Sequence, residues 1–115
     1  MLNESFFELL EPAIKNFLNE CARRTNEGKL KLIPRDKNMT SIYEMGLSIF
    51  NVEEIISELQ VDDYYRGPSS DHKFPNDDIW EFISHYETYK IYIKLKLDND
   101  DFVICLSFHE TERQF

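Results

Sequence analysis

The sequence predicts an α+β domain, with N-terminal helices packed on an antiparallel β-meander sheet. Three observations carry this reading. Apolar residues recur at three- and four-residue steps through the opening segment and again after residue 51. From residue 62 the apolar period falls to two, the mark of strands with one buried face. Helices come first and strands follow, an order that suits α+β folds rather than the strand–helix alternation of parallel sheets.

The chain has 115 residues, 42% hydrophobic and 14% aromatic, which fits one domain over residues 1–115 with one core. Residues 1–28 form an N-terminal helical segment and 29–115 the rest. No apolar run approaches the roughly 18 residues of a transmembrane helix. Acids stand where a secretory leader has its basic region, as in Glu4, Glu8 and Glu11. The expectation is a cytoplasmic protein with no membrane partner. Thirteen basic against 22 acidic residues give a formal charge of −9. That total argues against generic affinity for nucleic acid or anionic lipid.

Taken in order, Phe6, Phe7, Leu10, Ile14, Phe17, Leu18 and Cys21 form one helical stripe. Pro12 interrupts it, so the helix either kinks there or restarts with Pro12 in its first turn. Asn26-Glu27-Gly28 stops it. Lys29–Pro34 alternates and reads as a short strand. Asn38 is expected to cap a short helix that Gly46 ends. Asn51, with Glu54 three residues on, resembles a capping box for a further helix buried through Val52, Ile55, Ile56 and Leu59. Strands are expected over Asp62–Arg66, Ile79–Ser84, Tyr89–Leu97 and Phe102–His109. A loop separates the first two, and Asp98–Asp101 is a tight connection. Cys21 and Cys105 lie far apart in apolar contexts and are expected as buried free thiols rather than a disulfide.

Side-chain parity is the most informative signal. In Tyr89–Leu97 the odd positions are Tyr89, Ile91, Ile93, Leu95 and Leu97, and the even ones are Lys90, Tyr92, Lys94 and Lys96. One face is core and the other is cationic with a phenol in it. A four-residue 98–101 loop would place Leu95 opposite Ile104, Ile93 opposite Leu106, Ile91 opposite Phe108 and Lys90 opposite His109. An 85–88 loop would place Phe82 opposite Ile91. Glu81, Tyr92 and Ser107 would then form one row across three strands.

A carboxylate, an imidazole, a phenol and several cations are the groups that metal-free RNA cleavage uses. On this reading Glu81 is the base, His109 the acid, and Lys90, Lys94 or a nearby arginine stabilises the phosphate. Tyr92 bonds the phosphate or stacks on a base. Lys90, Lys94 and Lys96 form the RNA-binding stripe, and no cofactor or metal is required. The plain alternative is a solvated sheet face whose lysines guard against edge pairing.

Several stretches add a family resemblance. They are Asp63-Tyr64-Tyr65-Arg66-Gly67-Pro68-Ser69-Ser70-Asp71, Ile79-Trp80-Glu81-Phe82, Ile91-Tyr92-Ile93-Lys94-Leu95 and Cys105-Leu106-Ser107-Phe108-His109-Glu110. With Pro34-Arg35-Asp36-Lys37-Asn38-Met39 and Glu44-Met45-Gly46 upstream, they make residues 29–110 resemble the MqsR family of toxin–antitoxin toxins. The resemblance implies a RelE-like fold, mRNA endonuclease activity and a cognate antitoxin as partner. By motif it carries the family's active-site positions onto Arg66, Glu81, Tyr92 and His109. The N-terminal helix is longer than in compact members.

A reading from another class stands beside this one: a non-catalytic interaction module whose acidic surface binds a basic partner or mimics nucleic acid. Asp71, His72, Asp77 and Asp78 form an acidic loop with the donor types of a divalent-metal site, and a solvated loop is the default. The acids crowd into 62–63, 71–78 and 98–101, while Tyr89–Leu97 holds three lysines and no acid. The sequence therefore predicts a basic stripe within an acidic rim.

Overall fold

The computed structural model describes residues 4–111. Helix α1 spans Glu4–Asn26 and runs through Pro12 without restarting. Its stripe buries Ile14, Phe17, Leu18 and Cys21, each apolar side chain contributing roughly 1.5–3 kcal/mol. Phe17 stacks on Trp80 and Phe82, with ring centroids 5.3 and 6.1 Å apart. The helix ends where Gly28 takes φ +80°, a left-handed conformation that glycine adopts without strain. Cys21 and Cys105 are buried and unpaired.

Strand β1 (Leu30–Leu32) follows, then α2 (Asp36–Glu44) and α3 (Ile49–Ser57). Both caps differ from expectation. Arg35 is the N-cap of α2, and Asn38 lies inside the helix, turned into the protein and 1% exposed. Ser48 caps α3, with Asn51 as its partner at the third position, three residues earlier than the sequence suggested. Both helices bury one stripe, Ile42 on α2 and Val52, Ile55 and Ile56 on α3.

The remaining strands are β2 (Tyr64–Ser70), β3 (Asp78–Tyr86), β4 (Tyr89–Leu97) and β5 (Val103–Glu110), and the sheet order is β1-β5-β4-β3-β2. The meander is antiparallel as expected, but β1 joins β5 in parallel, so the sheet is mixed. Strand β2 starts at Tyr64, after a 3-10 turn over Val61–Asp63, and continues through Gly67 and Pro68. An edge strand tolerates both residues because its outer backbone groups need no partner.

Both hairpin registers are corrected. The β3–β4 turn contains only Glu87 and Thr88, so Phe82 faces Ile93 and Glu81 faces Lys94. This slip of two residues preserves the faces. In the β4–β5 pair Leu97 faces Val103 and Leu95 faces Cys105. A bulge then inserts one residue, and Lys94 faces Ser107, Ile93 faces Phe108 and Tyr92 faces His109. The core side of β5 is therefore Val103, Cys105 and Phe108, all 0% exposed. The expected core residues Ile104 and Leu106 line a cavity on the other face, beside Lys94 and Lys96.

Two charged clusters close the sheet's ends. Arg23, Arg24 and Lys29 converge on Asp101, pinning the end of α1 to the 98–102 turn. Asp98 shapes that turn by accepting from the amides of Asp100 and Phe102. Lys96 is buried and bonds Asp71 and Asp77, tying the 71–77 loop to β4. These parts of the acidic rim hold internal cations.

Candidate functional site

The open face of the sheet gathers the charged side chains, and its geometry starts at Gly67. This residue sits at φ +120°, and a Cβ there would lie 2.7 Å from the Ile79 carbonyl oxygen and 3.0 Å from the Trp80 Cα. Only glycine lets β2 approach β3 this closely. The Tyr64 hydroxyl donates to the Gly67 carbonyl at 2.6 Å, and the Tyr64 ring packs edge-on against Trp80 and Phe82. Arg66 is thereby held directly opposite Glu81.

Glu81 is 4% exposed and has a donor at each oxygen. Arg66 Nε donates to Oε2 at 2.8 Å, and the Tyr92 hydroxyl donates to Oε1. Burial pushes the Glu81 carboxyl up, but Arg66, Tyr92 and nearby Lys94 outweigh it, leaving the group below its ordinary range. Burial, reinforced by Glu81, drives the Tyr92 phenol well above its ordinary range. The pair is a fixed carboxylate and a fixed phenol. A carboxylate so engaged accepts a further proton poorly, which departs from the base role expected for Glu81.

His109 comes beside Tyr92 through the β5 bulge, with ring centroids 5.3 Å apart. Burial lowers its affinity for a proton, the Glu110 carbonyl partly restores it and Lys37 lowers it again, leaving the imidazole below its ordinary value. When Nδ1 carries the proton it donates to the Glu110 carbonyl at 3.3 Å, leaving Nε2 as the acceptor. The neutral ring is therefore the favoured form at neutral pH, which suits taking a proton better than giving one.

The expected row Glu81–Tyr92–Ser107 is replaced by two adjacent rows. One is Arg66, Glu81, Lys94 and Ser107, and the next pairs Tyr92 with His109. All four predicted site residues are brought together on one face. Lys94 joins them; Lys90 pairs with His85 rather than His109. Lys96 departs from the expected open stripe, since its side chain is 8% exposed and its ammonium is occupied by Asp71 and Asp77.

Two contributors have places the sequence reading does not give them. Asn38 donates from its amide nitrogen to the Ile33 and Leu106 carbonyls and accepts the Phe108 amide. It therefore bonds the backbone on both sides of the bulge. In the sequence it reads as a helix cap, and nothing in the local pattern points to a contact with β5. The other is His72, which lines two adjoining cavities on the open face.

Those cavities meet at His72, Ile79 and Lys94. One runs past Arg66 and Glu81 along β2. The other, about 750 Å³, lies over Ile79, Ile104 and Leu106. Together they form a groove across the sheet with Lys94 at its junction. Among the described residues no helix is long and apolar enough to cross a membrane.

A protein-family model described as "Motility quorum-sensing regulator, toxin of MqsA" matches residues 15–110. No curated protein matches the chain.

Proposed function

The chain belongs to the MqsR toxin family, a family of toxins in toxin–antitoxin systems, and on that premise we propose that it is an endoribonuclease cleaving single-stranded mRNA without a metal. Its other partner is the cognate antitoxin implied by the family. The observation that carries the reading is the contiguous set Arg66–Glu81–Tyr92–His109 on one sheet face. General acid–base chemistry needs its groups within near hydrogen-bond reach of one reacting phosphate.

The environments reassign the roles. The neutral His109 imidazole takes the proton of the ribose 2′-OH. The 2′-oxygen attacks phosphorus, the P–O5′ bond breaks, and the departing 5′-oxygen takes a proton from water at the open groove. The products are a 2′,3′-cyclic phosphate and a 5′-hydroxyl. Arg66 and Lys94 stabilise charge on the pentacoordinate phosphate. Glu81 aims Arg66 and Tyr92, and Tyr92 supports the imidazole and contacts the phosphate or an adjacent base. Lys90, beside this row, adds to the attraction for RNA.

The interaction-module reading rests on the net charge of −9. Glu20, Asp71, Asp77, Glu81 and Asp101 all hold cations of the same chain, which weakens that motive. The test is incubation of the purified chain with single-stranded RNA in EDTA. Cleavage leaving a cyclic phosphate, lost in His109→Ala, supports the ribonuclease. Intact RNA, with no growth arrest on expression, overturns it.

A further inference from the structure

The second arm of the groove is chemically unlike the first. Its floor is Ile79, Ile104 and Leu106, with the exposed Phe74 ring at its rim. Ile104 and Leu106 face the groove because the 98–102 turn is one residue longer than expected, which puts Ile104 opposite Lys96, and the bulge leaves Leu106 beside Ser107 on the same side. Its wall is the Lys96 ammonium between two carboxylates, 2.8 Å from Asp71 and 3.1 Å from Asp77. Lys96 also lies 4.5 Å from the Phe74 ring centroid, which steadies the aromatic rim. Asp71 has a donor at each oxygen, accepting from Lys96 at Oδ2 and from the Lys73 amide at Oδ1. Asp77 gives Oδ2 to Lys96, and its Oδ1 accepts nothing among the described residues.

The charges around this arm balance. Asp71, Asp77, Asp98 and Asp100 oppose Arg35, Lys73, Lys94 and Lys96. A balanced, apolar-floored cavity disfavours a phosphate. It suits a neutral planar group that buries its faces and hydrogen-bonds along one edge. Lys94, shared with the Arg66 arm, places the cavity one step from the reacting phosphate.

We propose that this cavity is a subsite for one unpaired nucleobase next to the scissile phosphate, and that it selects a base bearing an exocyclic amino group. The base stacks on Phe74 over the aliphatic floor. Its amino group donates to Asp77 Oδ1, and the Lys96 ammonium donates to a ring or carbonyl acceptor beside it. Uracil presents a carbonyl oxygen where cytosine presents the amino group, and that oxygen would face a carboxylate. The inference rests on the ribonuclease reading above and adds a base-reading site to it.

The test uses the full chain and single-stranded oligonucleotides varied at each nucleotide flanking the cleaved bond. With wild type, cytosine is preferred over uracil at one flanking position. Phe74→Ala lowers kcat/KM by about 5- to 100-fold, the range for loss of one stacked base. Asp77→Asn, whose amide can donate to a carbonyl, lowers the cytosine-to-uracil ratio about 10-fold or more. Phe74→Trp gives a reading independent of turnover: uncleavable 2′-O-methyl RNA quenches the new indole emission. If wild type cleaves while Phe74→Ala and Asp77→Asn keep its rates and preferences, and Phe74→Trp shows no quenching, the subsite is overturned and the ribonuclease stands. If wild type neither cleaves nor binds RNA, both fall.

Discussion

The Phe108 amide donates to Asn38 Oδ1 at 3.0 Å across 70 residues of chain, and that bond sits at the step where β5 changes register. The Asn38 nitrogen bonds the Leu106 carbonyl at 3.1 Å on the other side of the same bulge. Asn38→Ala removes the partner of one backbone amide, Phe108, and of two carbonyls, Ile33 and Leu106, each unmade bond costing about 1–3 kcal/mol. The expected outcome is a melting temperature lowered by several degrees, read by circular dichroism. An unchanged melting temperature would show that water or a relaxed backbone serves the bulge equally well.

The same bulge places the imidazole, and its titration should govern the reaction. His109 lies below its ordinary value of 6.5 because burial and Lys37 disfavour the cation. If neutral His109 is the base, kcat/KM rises with pH through that titration and levels off near neutrality. His109→Ala should lose about 10²–10⁴-fold in activity, together with the acidic limb of the profile. A wild-type profile with no fall anywhere below the ordinary histidine value, down to the acid limit of the fold, contradicts the assignment.

Glu81 and Tyr92 can be tested without any substrate. Burial and then the Glu81 carboxylate hold the Tyr92 phenol protonated. Glu81→Gln removes the charge and leaves the burial, so Tyr92, and Tyr64 to a smaller extent, should ionise earlier in an alkaline absorbance titration. Tyr92→Phe should remove that late-titrating tyrosine. If Glu81→Gln leaves the titration unchanged, the carboxylate does not control the phenol.

Acid should weaken the fold in a defined window. Hydrogen bonds from Lys96 to Asp71 and from Lys29 to Asp101 hold each carboxyl at about 2, against an ordinary 3.8. Groups depressed in the folded state add stability above their unfolded value and lose it as pH falls through the folded one. Denaturation midpoints should therefore decline from about pH 4 towards pH 2. Asp101→Asn should flatten part of that decline.

Lys96→Met replaces the buried ammonium with a chain of similar length and leaves Asp71 and Asp77 facing each other. Amide exchange over residues 71–77 should quicken more than exchange in β3 or β4, because the lysine ties that loop to the sheet. Uniform acceleration across the sheet would mean that Lys96 supports the whole domain.

The sequence made the β3 and β4 faces legible because period-two patterning survives an even slip. The β3–β4 turn is two residues shorter than expected, yet Phe82, Ile91 and Ile93 still point inward and Glu81, Tyr92 and Lys94 outward. Strand β5 was misread for the complementary reason. The 98–102 turn is one residue longer than expected, an odd slip that exchanges the faces of Val103–Cys105, and the bulge then returns Phe108 to the core; the alternation of β5 alone gives no sign of either. The signal lay at Asn38, far upstream. Lys96 was misplaced because parity assigns a face and says nothing about a loop folding over it. The parallel seat of β1 was hidden too, since three residues of alternation fix neither partner nor direction.

The sheet order also sets when the site exists. β5 is the last of the described strands to be synthesised, yet it lies inside the sheet, between β1 and β4. Strands β2, β3 and β4 carry Arg66, Glu81 and Tyr92 and pair with one another without β5. Until β5 arrives, Tyr92 has no imidazole beside it and β1 has no partner strand. Completion of the four-residue cluster and closure of the sheet are thus one late event, governed by the longest-range contacts in the molecule.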